Sequence, residues 1–218
     1  VGAIFEAPAF YDYLSGWKNI EIFTSYSHRI SNAEMREAVQ LVGLESRIHD
    51  PVRVYSHGMR QRLGLAQALL PAPEVVLLDE PTEGLDPEGI HEMRHLIQRL
   101  NRERGLTVLL SSHLLSEIEQ LCDRVAILNK GQLMFNGRWT DLAGDKQHVR
   151  LQVDDWPAAA LIAENCGAAV VEPGLLAMKS EAVPELVARL VSGGVRISAV
   201  EPVKRTLEQL YLETVAGT

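Results

Sequence analysis

The feature that most constrains the fold is a short apolar run at residues 75–78, which ends in two adjacent carboxylates, Asp79 and Glu80. An uninterrupted apolar run of this length is typical of a strand buried in a parallel sheet. A second run, at residues 106–111, follows a helical stretch that Asp86 is predicted to cap and Gly105 to end. Strands that alternate with helices in this way predict an α/β fold with a largely parallel sheet.

The regions on either side of these strands have different patterns. Residues 9 to about 70 are helical in periodicity, and Ser31 with Glu34 forms a predicted capping box at one helix start. Another helix is predicted from His57 to Leu70. Residues 124–128 and 132–135, joined through Asn129-Lys130-Gly131, predict a hairpin. Beyond residue 144 the predicted order of elements is β-α-β-β-α-β, which is ferredoxin-like in outline.

These patterns predict two domains. The first, residues 1–144, combines a helical subdomain at about 9–70 with an α/β core at 74–138. The second, residues 145–218, is predicted to be a small α+β ferredoxin-like domain, in which the sequence carries no recognisable catalytic motif.

Composition excludes several classes of protein. With 21 basic and 29 acidic residues, the formal net charge of −8 argues against a nucleic-acid-binding protein. No apolar run approaches the roughly 20 residues that cross a bilayer, and no signal peptide is visible, so a soluble chain is expected. Cys122 and Cys166 have no second Cys or His at ligand spacing, which predicts free thiols in a reducing, cytoplasmic compartment.

The paired carboxylates are the strongest chemical signal. Because they follow a buried strand, Asp79 and Glu80 are expected at the carboxyl edge of the sheet, where α/β proteins bind ligands. Asp79 can hold Mg²⁺ directly or through water, and Glu80 can polarise a water molecule that attacks a phosphate. The alternative is a solvated acidic turn without a ligand.

Two other segments point to phosphate chemistry. Ser56 and Gly58 lie at a predicted helix start, where free backbone amides and the positive end of the helix dipole bind anions. An ordinary helix cap is the alternative. His113 follows the second predicted strand and is therefore expected at the same sheet edge as Glu80, although a lone histidine there is often structural.

Taken together, these segments resemble the ABC ATPase family over about residues 1–138. Residues 55–59 resemble its signature motif, residues 75–80 its Walker B strand with the catalytic glutamate, residues 84–86 its D-loop, and His113 its switch histidine. The resemblance implies a P-loop NTPase core in which Glu80 and His113 are catalytic. It also implies nucleotide contacts by five residues: Ser56, His57, Gly58, Met59 and Asp86. His57 and Met59 depart from the usual Leu-Ser-Gly-Gly-Gln.

Glu6 stands where the family usually has the glutamine of the loop that joins the core to the helical subdomain. A glutamate here resembles exporters of bacitracin and lantibiotics, and the resemblance implies that Glu6, like Asp79, reaches Mg²⁺ or its water. A solvated loop residue is the alternative. The region beyond residue 144 resembles the accessory domain of such exporters.

The phosphate-binding loop of the family, Gly-x-x-x-x-Gly-Lys-Ser/Thr, does not occur in the 218 residues. In the family it precedes the glutamine loop, so here it is expected before Val1. We therefore expect the sequence to be an N-terminally truncated piece of a longer subunit, with an ABC ATPase core that lacks its N-terminal part.

The expected function is an ATPase subunit, with ATP and Mg²⁺, that drives export of a peptide antibiotic or similar compound. Its expected partners are a transmembrane permease and a second ATPase subunit in a head-to-tail dimer, at the cytoplasmic face of the membrane. Nucleic acid is not an expected partner. The alternatives are a catalytically incomplete partner, if Val1 is the native start, and a non-transport ABC protein of translation or DNA repair.

Overall fold

The computed structural model describes residues 1–6, 8–26, 30–70, 72–143, 146–203 and 206–216. Its internal contacts form two compact units, Val1–Leu114 and Leu115–Thr218. The predicted domain junction at Gly144 lies outside the described residues. The segment before that junction, from Leu115 onward, makes its contacts within the second unit. An ATPase domain that ends at residue 144 stays a prediction.

Three helices of the first unit are α1 (Gly16–Ser25), α2 (Asn32–Leu41) and α3 (His57–Leu69), with a short 3-10 helix at Val52–Val54 between the last two. The predicted capping box is confirmed: the Ser31 hydroxyl accepts from the Glu34 amide, and the Glu34 carboxylate accepts from the Ser31 amide. Because each side chain accepts a hydrogen bond from the other residue's backbone amide, these two residues alone determine where α2 begins.

The sheet of the first unit has three parallel strands in the order β1 (Gly2–Ile4), β2 (Val75–Asp79) and β3 (Thr107–Ser111). Helix α4 (Pro87–Arg104) connects β2 to β3; Asp86 caps its start, and Gly105 ends it in a left-handed conformation with φ of 64°. Because all three strands run the same way, their carboxyl ends meet at one edge of the sheet, as the sequence predicts.

The core of the first unit lies between its helices and one face of the sheet. Val76 and Leu78 of β2 are buried against the helices, whereas Leu77 and Leu109, which point to the other face, are 38% and 64% exposed. The helices contribute further buried residues: Ile20, Met35, Val39, Leu63, Leu65, Met93, Ile97 and Leu100.

The second unit begins with α5 (Leu115–Leu121) and the predicted hairpin, formed by β4 (Val125–Asn129) and β5 (Gln132–Gly137). Lys130 and Gly131 join the two strands with φ values of 48° and 79°, as a two-residue hairpin turn with matching twist requires. This local signal explains why the hairpin is predictable from sequence.

The rest of the second unit confirms the β-α-β-β-α-β prediction. Four antiparallel strands pair in the order β7-β8-β6-β9, and their buried face packs against two helices. The elements are β6 (Lys146–Val153), α6 (Trp156–Asn165), β7 (Ala169–Glu172), β8 (Leu175–Lys179), α7 (Val183–Ser192), β9 (Ile197–Val203) and α8 (Leu207–Ala216). In the described part of the chain, no helix combines the length and hydropathy that a bilayer crossing requires.

Candidate active site

The pairing of β2 with β3 brings Asp79 to Ser111 at the carboxyl edge of the sheet. The two residues are partners in the strand register, and the Ser111 hydroxyl donates to Asp79 Oδ1 over 2.6 Å. The amide of Glu80 donates to the Ser111 carbonyl over 3.2 Å. Ser111 therefore fixes both the carboxylate of Asp79 and the backbone of Glu80, a role that the sequence analysis did not assign to it.

The chain turns sharply at Glu80. Its φ of 46° lies in the left-handed region, which costs a non-glycine residue about 1–2 kcal/mol. The amide of Glu83 donates to the Glu80 carbonyl over 3.1 Å, so the turn returns Glu83 to the neighbourhood of Glu80. A strained backbone at a residue of this kind is a common property of functional sites.

His113 lies between two carboxylates. Its Nδ1 is 3.0 Å from Glu80 Oε2, and its Nε2 is 3.3 Å from Glu83 Oε2. The Glu80 side chain is the least exposed of the three, at 20%. The structure thus brings Glu80 and His113 together as the sequence predicts, and adds Glu83, whose position in the turn gave no chemical signal.

Both contacts of His113 have hydrogen-bond length. A neutral imidazole carries one N–H and donates to one carboxylate at a time, whereas a doubly protonated ring can donate to both. Among the described residues, Glu80, Glu83 and His113 are also the one group of three whose ligand atoms converge, within 4.8 Å of one another. Because carboxylates occupy both ring nitrogens, we interpret the group as an acid–base cluster rather than a metal centre.

The predicted Mg²⁺ ligands, Asp79 and Glu6, both lie near this sheet edge. Ile4 pairs with Leu78 in the sheet, so Glu6 leaves β1 just beyond the level of Asp79. The backbone carbonyl of Glu6 accepts from Gln61 Nε2 over 2.7 Å, and its side chain is exposed. Carboxylate oxygens of this kind suit Mg²⁺. Ser111 orients the Asp79 carboxylate, and coordination of Mg²⁺ by Asp79 and by Glu6 stays a prediction.

Gln61 was not identified from the sequence. Its side chain is 1% exposed and ties the loop of Glu6 to helix α3. A buried amide needs a partner, and the Glu6 carbonyl provides one. This hydrogen bond links the loop after β1 to helix α3, and no local sequence pattern indicates it.

Residues 55–59, which resemble the signature motif, lie at the start of α3. Ser56 is its N-cap, and the Ser56 hydroxyl accepts from the Met59 amide over 3.2 Å. The first amides of a helix have no acceptor within the helix, so those of His57 and Gly58 can donate to an anion, and a nucleotide contact there stays a prediction. Ser56 and His57 are exposed, and Gly58 and Met59 are half-buried.

The same helix start packs against the predicted D-loop. A Cβ on Gly84, whose φ is 70°, would lie 3.4 Å from His57 Nε2, and one on Gly58 would lie 3.4 Å from a Leu85 methyl. The imidazole of His57, which replaces the usual glycine, therefore rests on the backbone at Gly84. Packing within its own chain therefore accounts for a large side chain at position 57.

Asp86 has a clear structural role. Its Oδ1 accepts from the Gly89 amide over 2.9 Å and caps α4. The resemblance implies a nucleotide contact for Asp86, and the side chain is exposed. That contact stays a prediction beside the observed cap.

Comparisons with known proteins identify relatives of this chain. A family model described as ABC transporter matches residues 1–83. Over its whole length the chain is 43% identical to the uncharacterized ABC transporter ATP-binding protein YhcH of Bacillus subtilis and covers 72% of it. It is 33% identical to the bacitracin transport ATP-binding protein BcrA of Enterococcus faecalis, with the same coverage of both chains.

The fold has relatives among solved structures. The structure of cbiO1 from Clostridium perfringens, described as part of the ABC transporter complex cbiONQ, matches with a TM-score of 0.58 and 26% identity. The match covers 63% of this chain and 56% of that one. Because the sequence similarity to YhcH and BcrA extends along the whole chain rather than over one motif, we conclude that the chain belongs to the family of ABC transporter ATP-binding proteins.

Proposed function

We propose that this ATP-binding protein hydrolyses MgATP to drive export of a peptide antibiotic, of which bacitracin is the first candidate, through a separate membrane permease. The observation that carries the catalytic part is the contact of Glu80 with His113 beside the Asp79–Ser111 pair. The bacitracin transport proteins of Enterococcus faecalis and Bacillus licheniformis, at 33% and 41% identity, support the choice of cargo.

The surroundings of Glu80 support a role in orienting the attacking water. Its carboxylate is mostly buried and lies 3.0 Å from His113 Nδ1, which restricts its rotation. A restrained carboxylate can orient a water molecule and accept its proton as the bond to phosphate forms. His113, whose ring angle is set by Glu80 and Glu83, would in turn hold the Glu80 carboxylate in the orientation that the water requires.

The Asp79 carboxylate is well suited to hold Mg²⁺. The Ser111 hydroxyl orients its carboxylate, and the side chain is exposed at the sheet edge. When Mg²⁺ is bound with ATP, it neutralises charge on the phosphate oxygens. Glu6 would contribute a second oxygen donor from the loop after β1.

The helix start at Ser56 supports a shared site. The first amides of α3 and the Ser56 hydroxyl suit a phosphate. The Ser56 hydroxyl contacts the Met59 amide, whereas the Glu80 carboxylate contacts His113, so the two groups make separate sets of hydrogen bonds. We propose that Ser56, His57, Gly58 and Met59 contact ATP held by a second copy in a head-to-tail dimer. Together with the permease, this assembly would lie at the cytoplasmic face of the membrane.

The cargo is tested in cells. The full-length subunit and its cognate permease, produced in a bacitracin-sensitive host, are expected to raise the bacitracin concentration that stops growth. The Glu80→Gln variant, produced at the same level, is the matched control and should give no protection. Equal tolerance with both proteins, while the purified wild-type subunit hydrolyses ATP, would remove bacitracin as the cargo and leave the ATPase function intact.

A further inference from the structure

Helix α4 carries two histidines one turn apart that the ATPase chemistry does not use. The sequence from His91 to His95 is His-Glu-Met-Arg-His, and residues four apart lie on the same face of a helix. Both imidazoles are exposed. Their Nε2 atoms are 3.1 Å apart, and the ring centroids are separated by 4.3 Å.

We propose that His91 and His95 chelate one divalent transition-metal ion, such as Zn²⁺, Ni²⁺ or Cu²⁺, through their Nε2 atoms. Two imidazole nitrogens on one tetrahedral Zn²⁺, each at about 2.0–2.1 Å, lie roughly 3.3 Å apart. The observed Nε2–Nε2 separation of 3.1 Å is close to that spacing. Two facing ring nitrogens otherwise need one N–H to donate to the other, which fixes both tautomers.

The surroundings limit this site to two protein ligands. Glu92 lies between the histidines in sequence, but its carboxylate pairs with the Arg62 guanidinium. Among the described residues, no third His, Cys, Asp or Glu joins the two imidazoles as a converging ligand. The His-Glu-x-x-His pattern also occurs in zinc proteases, where the glutamate acts as a base. Here Arg62 holds that glutamate, so the site binds metal without peptidase chemistry.

There is room to complete the coordination shell. Both histidines line a surface groove of about 530 Å³ between α4 and the end of α2, together with Arg99 and Arg102. Water or a small anion can occupy the remaining metal positions, and the arginines favour an anion such as phosphate or carboxylate. Arg99 also donates to the Leu41 carbonyl, which holds this wall of the groove in place.

The chemistry of the ligands separates this site from the nucleotide site. Neutral imidazole suits zinc, nickel and copper, whereas Mg²⁺ requires oxygen ligands such as Asp79. The expected order of affinity places Cu²⁺ above both Ni²⁺ and Zn²⁺. An excess of Mg²⁺ should therefore leave metal binding at His91 and His95 unchanged.

The test is a titration of the full-length subunit, free of any histidine tag, with Zn²⁺ alone and with Ni²⁺ alone in buffer containing excess Mg²⁺. His91→Gln and His95→Gln each remove one ligand, and glutamine is compatible with an exposed helix position. His49→Gln is the matched control, because His49 is also an exposed histidine but lies outside α4. Calorimetry gives the affinity, and NMR follows the imidazole C–H signals.

We expect one saturable site in the wild type and in His49→Gln, with the signals of His91 and His95 shifting together. Loss of an outer partner of a metal site alone lowers affinity by about 10- to 100-fold, so loss of either ligand should cost at least as much. Unchanged affinity in both α4 variants, with unfolding temperatures like the wild type, would overturn the proposal. So would the absence of saturable binding in the wild type.

Discussion

The two parts of the proposed nucleotide site are organised in opposite ways. In the strand-end group, which comprises Asp79, Glu80, Ser111 and His113, the functional side chains contact one another. In the helix-start group, residues Ser56–Met59, the side-chain hydrogen bond caps the helix itself, and the first amides have no acceptor within the helix. The strand-end group is therefore organised by contacts within one chain. The helix-start group offers hydrogen-bond donors that a ligand or a second copy could use.

This difference separates chemistry from assembly. A change in the strand-end group should alter the rate of hydrolysis without altering how two copies meet. A change in the helix-start group should alter assembly and leave binding of ATP to one copy intact. Glu80→Gln and Ser56→Arg therefore each need two measurements, one of turnover and one of the ATP-dependent association of subunits.

The largest effect is expected from Glu80→Gln in the full-length subunit. The amide keeps the shape of the side chain but cannot accept a proton from water, so kcat should fall about 10²-fold or more. ATP binding should be unchanged, and the ATP-bound dimer should accumulate because only cleavage fails. Glu74→Gln, an exposed glutamate next to the same strand, is the control for turnover and should match the wild type. A Glu80→Gln variant with half the wild-type rate would refute the assigned role.

Ser56→Arg should separate the two groups most clearly. A bulky cation at the start of α3 would occupy the space expected for the phosphates held by a second copy, so ATP-driven dimerisation and hydrolysis should both be lost. Binding of ATP to the single subunit should persist. Size-exclusion chromatography with ATP, compared with Glu80→Gln, measures the difference.

The matched control for Ser56→Arg is Ser31→Arg, because Ser31 caps α2 in the same way that Ser56 caps α3. Loss of a cap alone costs about 1 kcal/mol of stability, and both variants carry this cost. Only Ser56→Arg should fail to dimerise. If it dimerised as readily as Glu80→Gln, Ser56 would be a helix cap and nothing more.

The smallest effect is expected from Glu83→Gln, which weakens one of the two contacts that set the angle of His113. A hydrogen bond of this kind contributes about 1 kcal/mol, so kcat should fall about fivefold with little change in KM. In a His113→Ala background the same change should have no further effect, since the partner is gone. An equal fivefold loss in that background would show that Glu83 acts independently of His113.

The sequence predicted elements whose signals are local. The Ser31–Glu34 box, the Asp86 cap and Gly105 stop of α4, and the hairpin turn at Lys130 each depend on residues within a few positions of one another. The shared sheet edge of Asp79, Glu80 and His113 followed from the parallel strands alone. For these features, the local residues and the strand direction are enough to predict the structure.

What escaped prediction depends on distant parts of the chain. Ser111 meets Asp79 only through the register of β2 and β3, and Gln61 meets Glu6 across 55 positions of sequence. Glu83 reaches His113 because the backbone folds back at Glu80. None of these residue types is informative by itself, since serine, glutamine and glutamate in such positions are most often solvated.

The backbone at Glu80 also has an evolutionary consequence. With φ at 46°, the position would suit glycine or asparagine better, and glycine would avoid the conformational cost of about 1–2 kcal/mol. Selection for a stable fold alone would therefore remove the glutamate. A lineage that lost its need for the pump would be expected to lose this residue early, gaining stability as it lost turnover.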